Sequence, residues 1–468
     1  MVEARRLPGP TPLLLAAMAL SALLLVFLGS RLTFILDDWT FILERRDLGA
    51  DAFLDPSNEH LVAAPVAVWK LLLGTFGMGS TVPFRIVSTA LFMLGNWFLY
   101  LWIRRRLGAW PALIATLPIL FLGAAYEDLL WFSSITFLGA LTCGLGMLLA
   151  LDRGDRRGDA LACAWLTGAM LCNSLWIAFA AGAALDIFLR RRERDWRRRL
   201  YVPLVPLAIY ALWWLGWGHE ADSGASLDNL TSTPLFVFDS LAAATASLLG
   251  LAVPNEGTAK PGAFDAWRAL AALLVGLAIW RAHRIKPLPP SFWVALAIGL
   301  AFWVLGAIAV KEGRAAWSSR YQLPGAVFVL LVAVELVRGV KLDRRAARAA
   351  RVAAAVVLAA VRGNAICLYR GYDGYLESTE LIRADLAALE TARGTVDPEF
   401  RLEESFAETG FVDVAAADYL DAADELGSPA YSIEELEAAP APARLAADQV
   451  LLNALGFAIE PAAPSALE

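Results

Sequence analysis

The sequence predicts an all-α polytopic membrane protein, and three observations support this prediction. Of the 468 residues, 58% are hydrophobic, only 18% are charged and 17 are Trp, which is unlike an ordinary soluble domain. Apolar segments of about 20 residues, the length that crosses a bilayer as a helix, recur between Leu13 and Ala360. Beyond Arg370 these segments stop.

The two parts of the chain also differ in charge. Residues 371–468 carry 21 Asp and Glu against four Arg and no Lys, a net charge of −17, which leaves +11 on the first 370 residues. We therefore predict a membrane domain of residues 1–368, followed by an acidic, helical and partly disordered tail of residues 369–468. Strong negative charge should keep this tail away from anionic lipid.

Short basic loops indicate the orientation, because Lys and Arg favour the cytoplasmic side. Arg5 and Arg6 place the N-terminus inside, so the first helix leads to Asp37 and Asp38 outside. About 11 transmembrane helices follow from this pattern. The predicted spans are residues 13–36, 83–103, 110–125, 129–151, 200–217, 266–280, 292–310, 321–337 and 352–368, with two short helices within 160–189.

Two segments decide the number of crossings. Residues 160–189 have basic residues on both flanks, which requires an even number of crossings, so we expect two helices that break near Asn173 and Ser174. One long helix is the alternative, and it would invert the predicted orientation of every later helix and loop. Residues 236–253 are expected to be re-entrant or interfacial, because the next helix ends at a basic segment. The tail is then extracytoplasmic, on the outside of the plasma membrane.

The first predicted outer loop, residues 37–82, collects groups that can do chemistry. Asp37 and Asp38 are adjacent carboxylates at the end of the first apolar run, where ionisable groups are costly, and such a pair indicates chemistry at the membrane surface. The alternative is that they only end the helix. Glu59 and His60 follow in the same loop. Residues 61–76 are apolar but too short to span, so we expect an interfacial helix there.

The later outer loops supply candidate binding residues. Glu127 and Asp128 form a very short acidic turn that can bind a polar ligand, or that simply caps a helix and is solvated. Trp131 can stack on a sugar or lie in the aromatic belt at the membrane surface. Each of these alternatives stays open at the level of sequence.

The last outer loop, residues 311–321, carries three cations on the side where they are rare. Lys311, Arg314 and Arg320 contradict the positive-inside bias, and a phosphate ligand would explain them, because Arg pairs two phosphate oxygens at once. Tyr321 follows directly. Arg362, within the last apolar run, is either a second phosphate contact or a side chain that reaches the interface from within the bilayer.

The order and sidedness of these motifs resemble a known family. They are Asp37-Asp38-Trp39, Asn58-Glu59-His60-Leu61, Glu127-Asp128 and Ser318-Ser319-Arg320-Tyr321. Together they resemble the membrane glycosyltransferases of the C-type fold, over residues 13–368. The acidic tail has no counterpart in this resemblance.

The resemblance implies an enzyme that transfers a sugar from a polyprenyl-phosphate donor to a hydroxyl of a glycan, lipid or protein on the outer face. It implies Asp37 or Asp38 as general base of an inverting reaction, with a slight preference for Asp37. Arg320, with Arg314 or Lys311, would hold the leaving phosphate. Some members of the family bind a divalent metal, which makes Glu59 and His60 candidate ligands.

Several other classes are disfavoured or remain as alternatives. No Walker motif or dinucleotide fingerprint is present, which argues against a nucleotide-driven pump, and no nucleic-acid partner is expected. A flippase or transporter of lipid-linked sugars should show midplane charges and an internal repeat, and neither is evident. A noncatalytic protein of cell-envelope glycan assembly is the remaining alternative.

Overall fold

The computed structural model describes residues 9–221, 224–252, 263–310, 314–340, 346–402 and 414–457. Within these ranges the regular secondary structure is helical, with only two isolated β-bridges, which confirms the predicted all-α class. The α-helices are α1 (Pro10–Gly29), α2 (Asp37–Leu43), α3 (Ala50–Leu54), α4 (Ala63–Phe76), α5 (Val82–Leu107), α6 (Ala109–Leu120), α7 (Tyr126–Leu130), α8 (Ile135–Leu151), α9 (Arg156–Met170) and α10 (Trp176–Leu189). They continue with α11 (Tyr201–Gly216), α12 (Thr233–Leu248), α13 (Ala263–Ile285), α14 (Pro290–Ile308), α15 (Gln322–Val337), α16 (Ala346–Thr391), α17 (Ala416–Leu426), α18 (Ile433–Ala438) and α19 (Ala441–Ala454).

Several of these helices can cross a membrane. Among the described residues, six helices are long and apolar enough, or seven if the bent pair of α6 and the segment Gly123–Leu130 is one span. Four shorter apolar helices accompany them: α4, α10, α11 and α12. The chain is therefore an integral membrane protein, and the count of about 11 spans stays a prediction.

The chain forms two compact units that do not follow chain order. The first, called the bundle unit here, comprises residues 1–27, 53–65 and 85–372. The second, called the tail unit, comprises residues 28–52, 66–84 and 373–468. The division between residues 368 and 369 expected from composition stays a prediction, and the helix α16 runs continuously through that position.

In the bundle unit, α9 and α10 form the expected pair of short helices. They are separated at residues 171–175, and Asn173 Oδ1 accepts a hydrogen bond from Leu175 N at 3.0 Å within the break. Arg199, beyond α10, donates to Asp159 near the start of α9 at 3.1 Å. Both outer ends of the pair therefore lie at the same end of the bundle, and the single-long-helix alternative is wrong.

That end holds a buried network of ion pairs, called the network end here. Arg199, 3% exposed, bridges Asp159 and Asp186, which also accept from Arg194 at 2.6 Å and Arg190 at 2.8 Å. Arg106, at the end of α5, likewise bridges Asp152 and the buried Glu335 at the end of α15. The basic segments predicted to share the cytoplasmic side thus meet at one end of the unit.

The helix α12 keeps both of its ends at the opposite end of the bundle. Before it begins, Asn229 Nδ2 donates to Ile308 O, at the end of α14, at 2.8 Å. Near its last turn, Ser247 Oγ donates to Gln322 Oε1, at the start of α15, at 3.0 Å. This is the arrangement expected of a helix that does not cross the membrane, as predicted for residues 236–253.

Among the predicted elements that differ from the structure are the first helix and the acidic turn. The first helix ends at Gly29, not at residue 36, and residues 32–35 are buried in a non-helical segment of the tail unit. Glu127 and Asp128 lie in the short helix α7, not in a turn. Hydropathy describes how apolar a segment is. It therefore does not distinguish a membrane helix from a non-helical segment that is buried in protein.

The tail unit is built on an aromatic core. Phe34 contacts both Trp69 and Phe84, with ring centroids at 5.8 and 5.1 Å, and Trp39 contacts Tyr419 of α17 at 6.0 Å. Met78 N donates to Leu426 O at 2.8 Å, at the end of the same helix. The acidic tail therefore packs on segments of the first loop.

The predicted helices of the tail correspond only in part to the structure. Those at 415–426 and 443–455 correspond to α17 and α19, whereas the helix expected at 378–392 is the end of α16. The disordered end expected after Pro461 lies outside the described residues.

Candidate functional site

Two arginines ahead of α15 each pair with a glutamate from a distant part of the bundle unit. Arg314 donates to both carboxylate oxygens of Glu59, with Nη2 at 3.1 Å from Oε2. Arg320 Nε donates to Glu127 Oε2 at 2.9 Å. Three of the sequence motifs therefore come together, at the end of the bundle opposite the network end. We call this region the site end.

Backbone contacts fix the helix α7 against the start of α15. Ser319 Oγ donates to Ala124 O at 2.8 Å and accepts from Glu127 N at 3.2 Å. Ser134 Oγ donates to Glu127 O at 3.1 Å. Because these bonds hold the backbone on both sides of the ion pair, Arg320 and Glu127 keep a defined position with little entropy left to lose on binding.

Asp128 is the most unusual side chain of the site end. It is 1% exposed, and neither carboxylate oxygen accepts a hydrogen bond from a described residue. The charges of Glu127 and Arg320 lie within electrostatic range of it. Burying a carboxyl group without hydrogen bonds costs free energy. A ligand hydroxyl that donates a hydrogen bond to Asp128 would therefore be favoured there.

Aromatic rings line the same region. The guanidinium of Arg320 lies 5.7 Å from the ring centroid of Trp131, which is 6% exposed. Trp131 therefore faces protein, and its role as a sugar-stacking or aromatic-belt residue stays a prediction. The phenol of Tyr321 lies within electrostatic range of Arg314, Arg320 and both glutamates, which shows that these charges form one cluster.

Glu59 and His60 are held by the bundle in separate ways. His60 Nδ1 and Ser174 Oγ share a hydrogen bond of 2.9 Å, at the break between α9 and α10. Burial lowers the pKa of His60, more than the nearby Glu59 raises it. Burial also raises the pKa of Glu59, but Arg314 and His60 outweigh it, so the net pKa of Glu59 lies below its usual value.

These residues do not fit a metal site. A guanidinium, itself a cation, takes both carboxylate oxygens of Glu59, and His60 bonds to a serine. In the described part of the chain, no group of three or more His, Cys, Asp and Glu side chains is placed to hold a metal ion. Glu59 and His60 are better described as supports for Arg314 and for the adjacent loop.

Asp37 and Asp38 belong to the tail unit, where they begin α2. Asp38 is fully buried, and its Oδ2 accepts from Ile35 N at 3.1 Å. Asp37 is half-buried. The preceding Leu36 has φ 50, a left-handed conformation that is strained for a branched residue and that commonly marks functional segments. The two carboxylates thus differ, since only Asp37 has access to solvent.

The remaining predicted residues have less support. Lys311 lies outside the described residues. Arg362 is exposed on α16, with no hydrogen bond or ion pair to the described part of the chain. Its neighbour Asn364 is buried instead, accepting from Ala124 N at 3.0 Å and donating to Ser247 O at 2.8 Å. Arg362 does not join the cluster through any described contact.

Three residues position the site through contacts that the sequence did not predict: Ser174, Ser319 and Asn364. The first two were identified only as part of a helix break and of a motif, and each of the three hydrogen-bonds across the bundle. A polar group in a membrane helix costs free energy unless it forms a hydrogen bond, so the sequence implies that each of these residues has a partner. The sequence does not identify that partner.

Comparison with solved structures identifies the fold. The chain is similar to ArnT from Cupriavidus metallidurans, whose crystal structure was determined bound to undecaprenyl phosphate, with a TM-score of 0.50 and 16% sequence identity. The similarity covers 87% of this chain and 84% of ArnT, and it confirms the resemblance in fold inferred from the sequence motifs. No protein-family model and no curated protein sequence matches the chain.

Proposed function

We propose that this protein is a membrane glycosyltransferase that moves a sugar from a polyprenyl-phosphate donor to an acceptor hydroxyl on the outer face of the membrane. The observation that carries the proposal is the pair Arg314 and Arg320, each oriented by a glutamate at the site end. Undecaprenyl phosphate bound to ArnT, which has this fold, supports a donor of the same chemistry.

The arginines are suited to hold the phosphate of the donor. A guanidinium stays charged and presents a planar fork, so it can bind two phosphate oxygens and stabilise the negative charge that develops as the phosphate leaves. About a third of the Arg320 side chain is exposed, at 33%, whereas 18% of Arg314 is. We therefore assign the main phosphate contact to Arg320.

The proposed reaction is a single inverting displacement. The acceptor oxygen forms a bond to the anomeric carbon while the bond from that carbon to the phosphate oxygen breaks. The acceptor proton passes to Asp37, and the electron pair leaves with polyprenyl phosphate. Asp37 is preferred over Asp38 as base because Asp38 is fully buried and already accepts a backbone hydrogen bond.

Asp128 and Trp131 are proposed to contribute to binding at the site end. The buried carboxyl group of Asp128 lacks hydrogen bonds from described residues, so it can accept one from a sugar hydroxyl. Trp131 holds the guanidinium of Arg320 through its ring face. The acceptor class, whether glycan, lipid or protein, depends on the shape of the site and is left open in this proposal.

The experiment that tests the proposal compares carboxylates of the tail unit. Asp37→Asn, Asp38→Asn and the exposed control Glu44→Gln are purified and incubated with a panel of polyprenyl-phosphate-linked sugars together with glycan, lipid and peptide acceptors that carry hydroxyl groups, and release of polyprenyl phosphate is measured. We expect Asp37→Asn to lose about 10²-fold or more in rate, as for loss of a general base. Asp38→Asn should mainly lower thermal stability, and Glu44→Gln should behave as the native protein.

Two outcomes would contradict the proposal. Full activity of Asp37→Asn would remove Asp37 as the base. Binding of polyprenyl-phosphate sugars without release of polyprenyl phosphate by the native protein would instead identify a carrier or a noncatalytic glycan-assembly protein.

The proposed orientation places the network end in the cytoplasm, with the N-terminus, and the acidic tail outside the plasma membrane. Concentration of basic residues at the network end supports this orientation. A reporter active only outside the cytoplasm, fused after Glu468, should be active, and an inactive reporter would invert the topology.

A further inference from the structure

An apolar groove of about 860 Å³ lies among α12, α13, α14 and α15 of the bundle unit. Its walls include Val237, Leu241, Ala278, Leu296, Trp303 and Val332. The groove exists because α12 has both ends at the site end, so it leaves the space beside α13 unfilled toward the network end. Apolar helices that leave such a gap within a membrane expose it to lipid chains.

One end of the groove is cationic. Arg281, His283 and Lys286, from the end of α13 and the residue after it, line the groove there. Arg281 Nε donates to Leu336 O at 3.0 Å, at the end of α15, which places this rim at the network end. The terminal nitrogens of Arg281 form no hydrogen bond with described residues, and Lys286 is exposed.

The cations of this rim differ from those of the ion-pair network. At the network end, Arg106, Arg194 and Arg199 are each paired with a buried carboxylate. Among the described residues that line the groove, by contrast, there is no Asp or Glu. The rim therefore keeps a net positive charge directly above an apolar groove, and this charge calls for an anionic ligand with an apolar body.

We propose that the groove binds an anionic phospholipid, with its acyl chains along the apolar walls and its phosphate at Arg281 and Lys286. Basic pockets between transmembrane helices on the cytoplasmic side bind anionic headgroups in this way. The ligand is not the proposed sugar donor, because the rim and the arginines of the site end lie at opposite ends of α15. The site would hold α13 against α14 and α15, where α12 does not reach.

The experiment uses the full chain reconstituted in vesicles of equal parts phosphatidylglycerol and phosphatidylcholine, extracted in mild detergent and examined by native mass spectrometry. We expect phosphatidylglycerol to be retained in preference to phosphatidylcholine. Lys286→Glu should lower that retention by at least about fivefold, the effect of roughly one surface charge on an anionic headgroup. Arg284→Glu is the matched control, because Arg284 lies on the same turn, stacks on Trp280 and does not line the groove.

A second pair of variants tests the groove apart from its charge. Ala278→Trp fills the apolar wall and should lower retention of phosphatidylglycerol, whereas Ala272→Trp, exposed on the same helix and outside the groove, should not. Equal retention of the two lipids by the native protein would overturn the proposal. Equal effects of Lys286→Glu and Arg284→Glu, or of the two tryptophan variants, would overturn it as well. Since the readout is bound lipid, the result is independent of sugar transfer.

Discussion

The two ends of the bundle unit use the same residue types for different purposes. At the network end, each of the buried Asp159 and Asp186 meets two guanidinium groups, and Arg199 links them at 3% exposure. At the site end, Arg320 remains a third exposed, and the buried Asp128 accepts no hydrogen bond from a described residue. At the network end the buried carboxylates are thus paired with arginines of the protein, whereas at the site end a buried carboxylate has no hydrogen bond from the described residues.

This difference separates a structural ion pair from a binding group. A buried charge whose partners are all protein groups contributes little when it is intact but costs several kcal/mol when one partner is removed. A buried polar group without partners lowers stability in the free protein and is stabilised by whatever binds it. Substitutions at the network end should therefore lower stability more than activity, and substitutions at the site end should lower activity more than stability.

The largest expected effect is on stability, at the network end. Arg199→Ala removes a shared partner from Asp159 and Asp186 and should lower the free energy of unfolding by about 3–5 kcal/mol. Thermal unfolding in detergent measures this. Arg198→Ala is the matched control, because the Arg198 side chain is 71% exposed and, in the described part of the chain, forms an ion pair with the neighbouring Asp195 alone. Similar melting temperatures for the two variants would show that the network carries no stability.

At the site end, the next largest effect is on activity. Arg320→Ala should lower the rate of sugar transfer by about 10²-fold, the usual loss for one group that stabilises a developing charge. Its melting temperature should change much less than that of Arg199→Ala. Arg320→Lys keeps the charge but not the fork, so it should recover only part of the rate. A variant that loses stability but keeps its rate would place Arg320 among the structural pairs.

A matched pair of Asp→Asn substitutions compares the two ends directly. Asp186→Asn leaves Arg190 and Arg199 short of a partner and should lower the melting temperature. Asp128→Asn removes a costly buried carboxylate, so stability should stay the same or rise by about 1 kcal/mol, while the KM for the acceptor increases. Equal destabilisation by both substitutions would contradict a binding role for Asp128.

The smallest expected effect is a pH dependence at His60. Its folded pKa lies below the ordinary value of 6.5, because of burial, so the unfolded chain binds more protons between the two values. The stability that His60 contributes is complete above pH 6.5 and is lost as the pH falls toward the folded pKa. His60→Gln should reduce the change in melting temperature between pH 7 and 5. Substitution of the exposed His219 by Gln should leave that change as it is in the native protein. If the melting temperature of His60→Gln depended on pH as strongly as that of the native protein, the pH dependence would come from other groups.

Much of the fold was predictable because hydropathy and charge act locally. Residues 200–217 were predicted as a helix, and α11 covers Tyr201–Gly216; the break near Asn173 and Ser174 followed from basic residues on both flanks. Residues 30–36 were mispredicted as helix. Within this segment Leu32, Phe34 and Ile35 are apolar and buried in a non-helical part of the tail unit, and an apolar run does not reveal its backbone conformation.

The candidate site was predictable in its members but not in its contacts. Charges that contradict the topology identified Arg314 and Arg320, and the acidic motifs identified Glu59 and Glu127. Nothing in the sequence paired Arg314 with Glu59, which lie 255 residues apart, or Asp38 with the backbone of Ile35. The supporting contacts of Ser174, Ser319 and Asn364 were not predicted, because a polar residue in or beside an apolar run does not identify its partner.

By itself, the sequence determined that this chain is a helical membrane protein, where its charges lie and which of them are out of place. These properties follow from the cost of each side chain in lipid, which is a property of single residues and short segments. Only the tertiary structure decided which carboxylate faces which arginine, that Asp128 is buried without hydrogen bonds, and that α12 leaves a groove beneath a cationic rim. Those features depend on how whole helices pack, because a hydrogen bond or an ion pair requires its two groups to be placed within about 3 Å of one another.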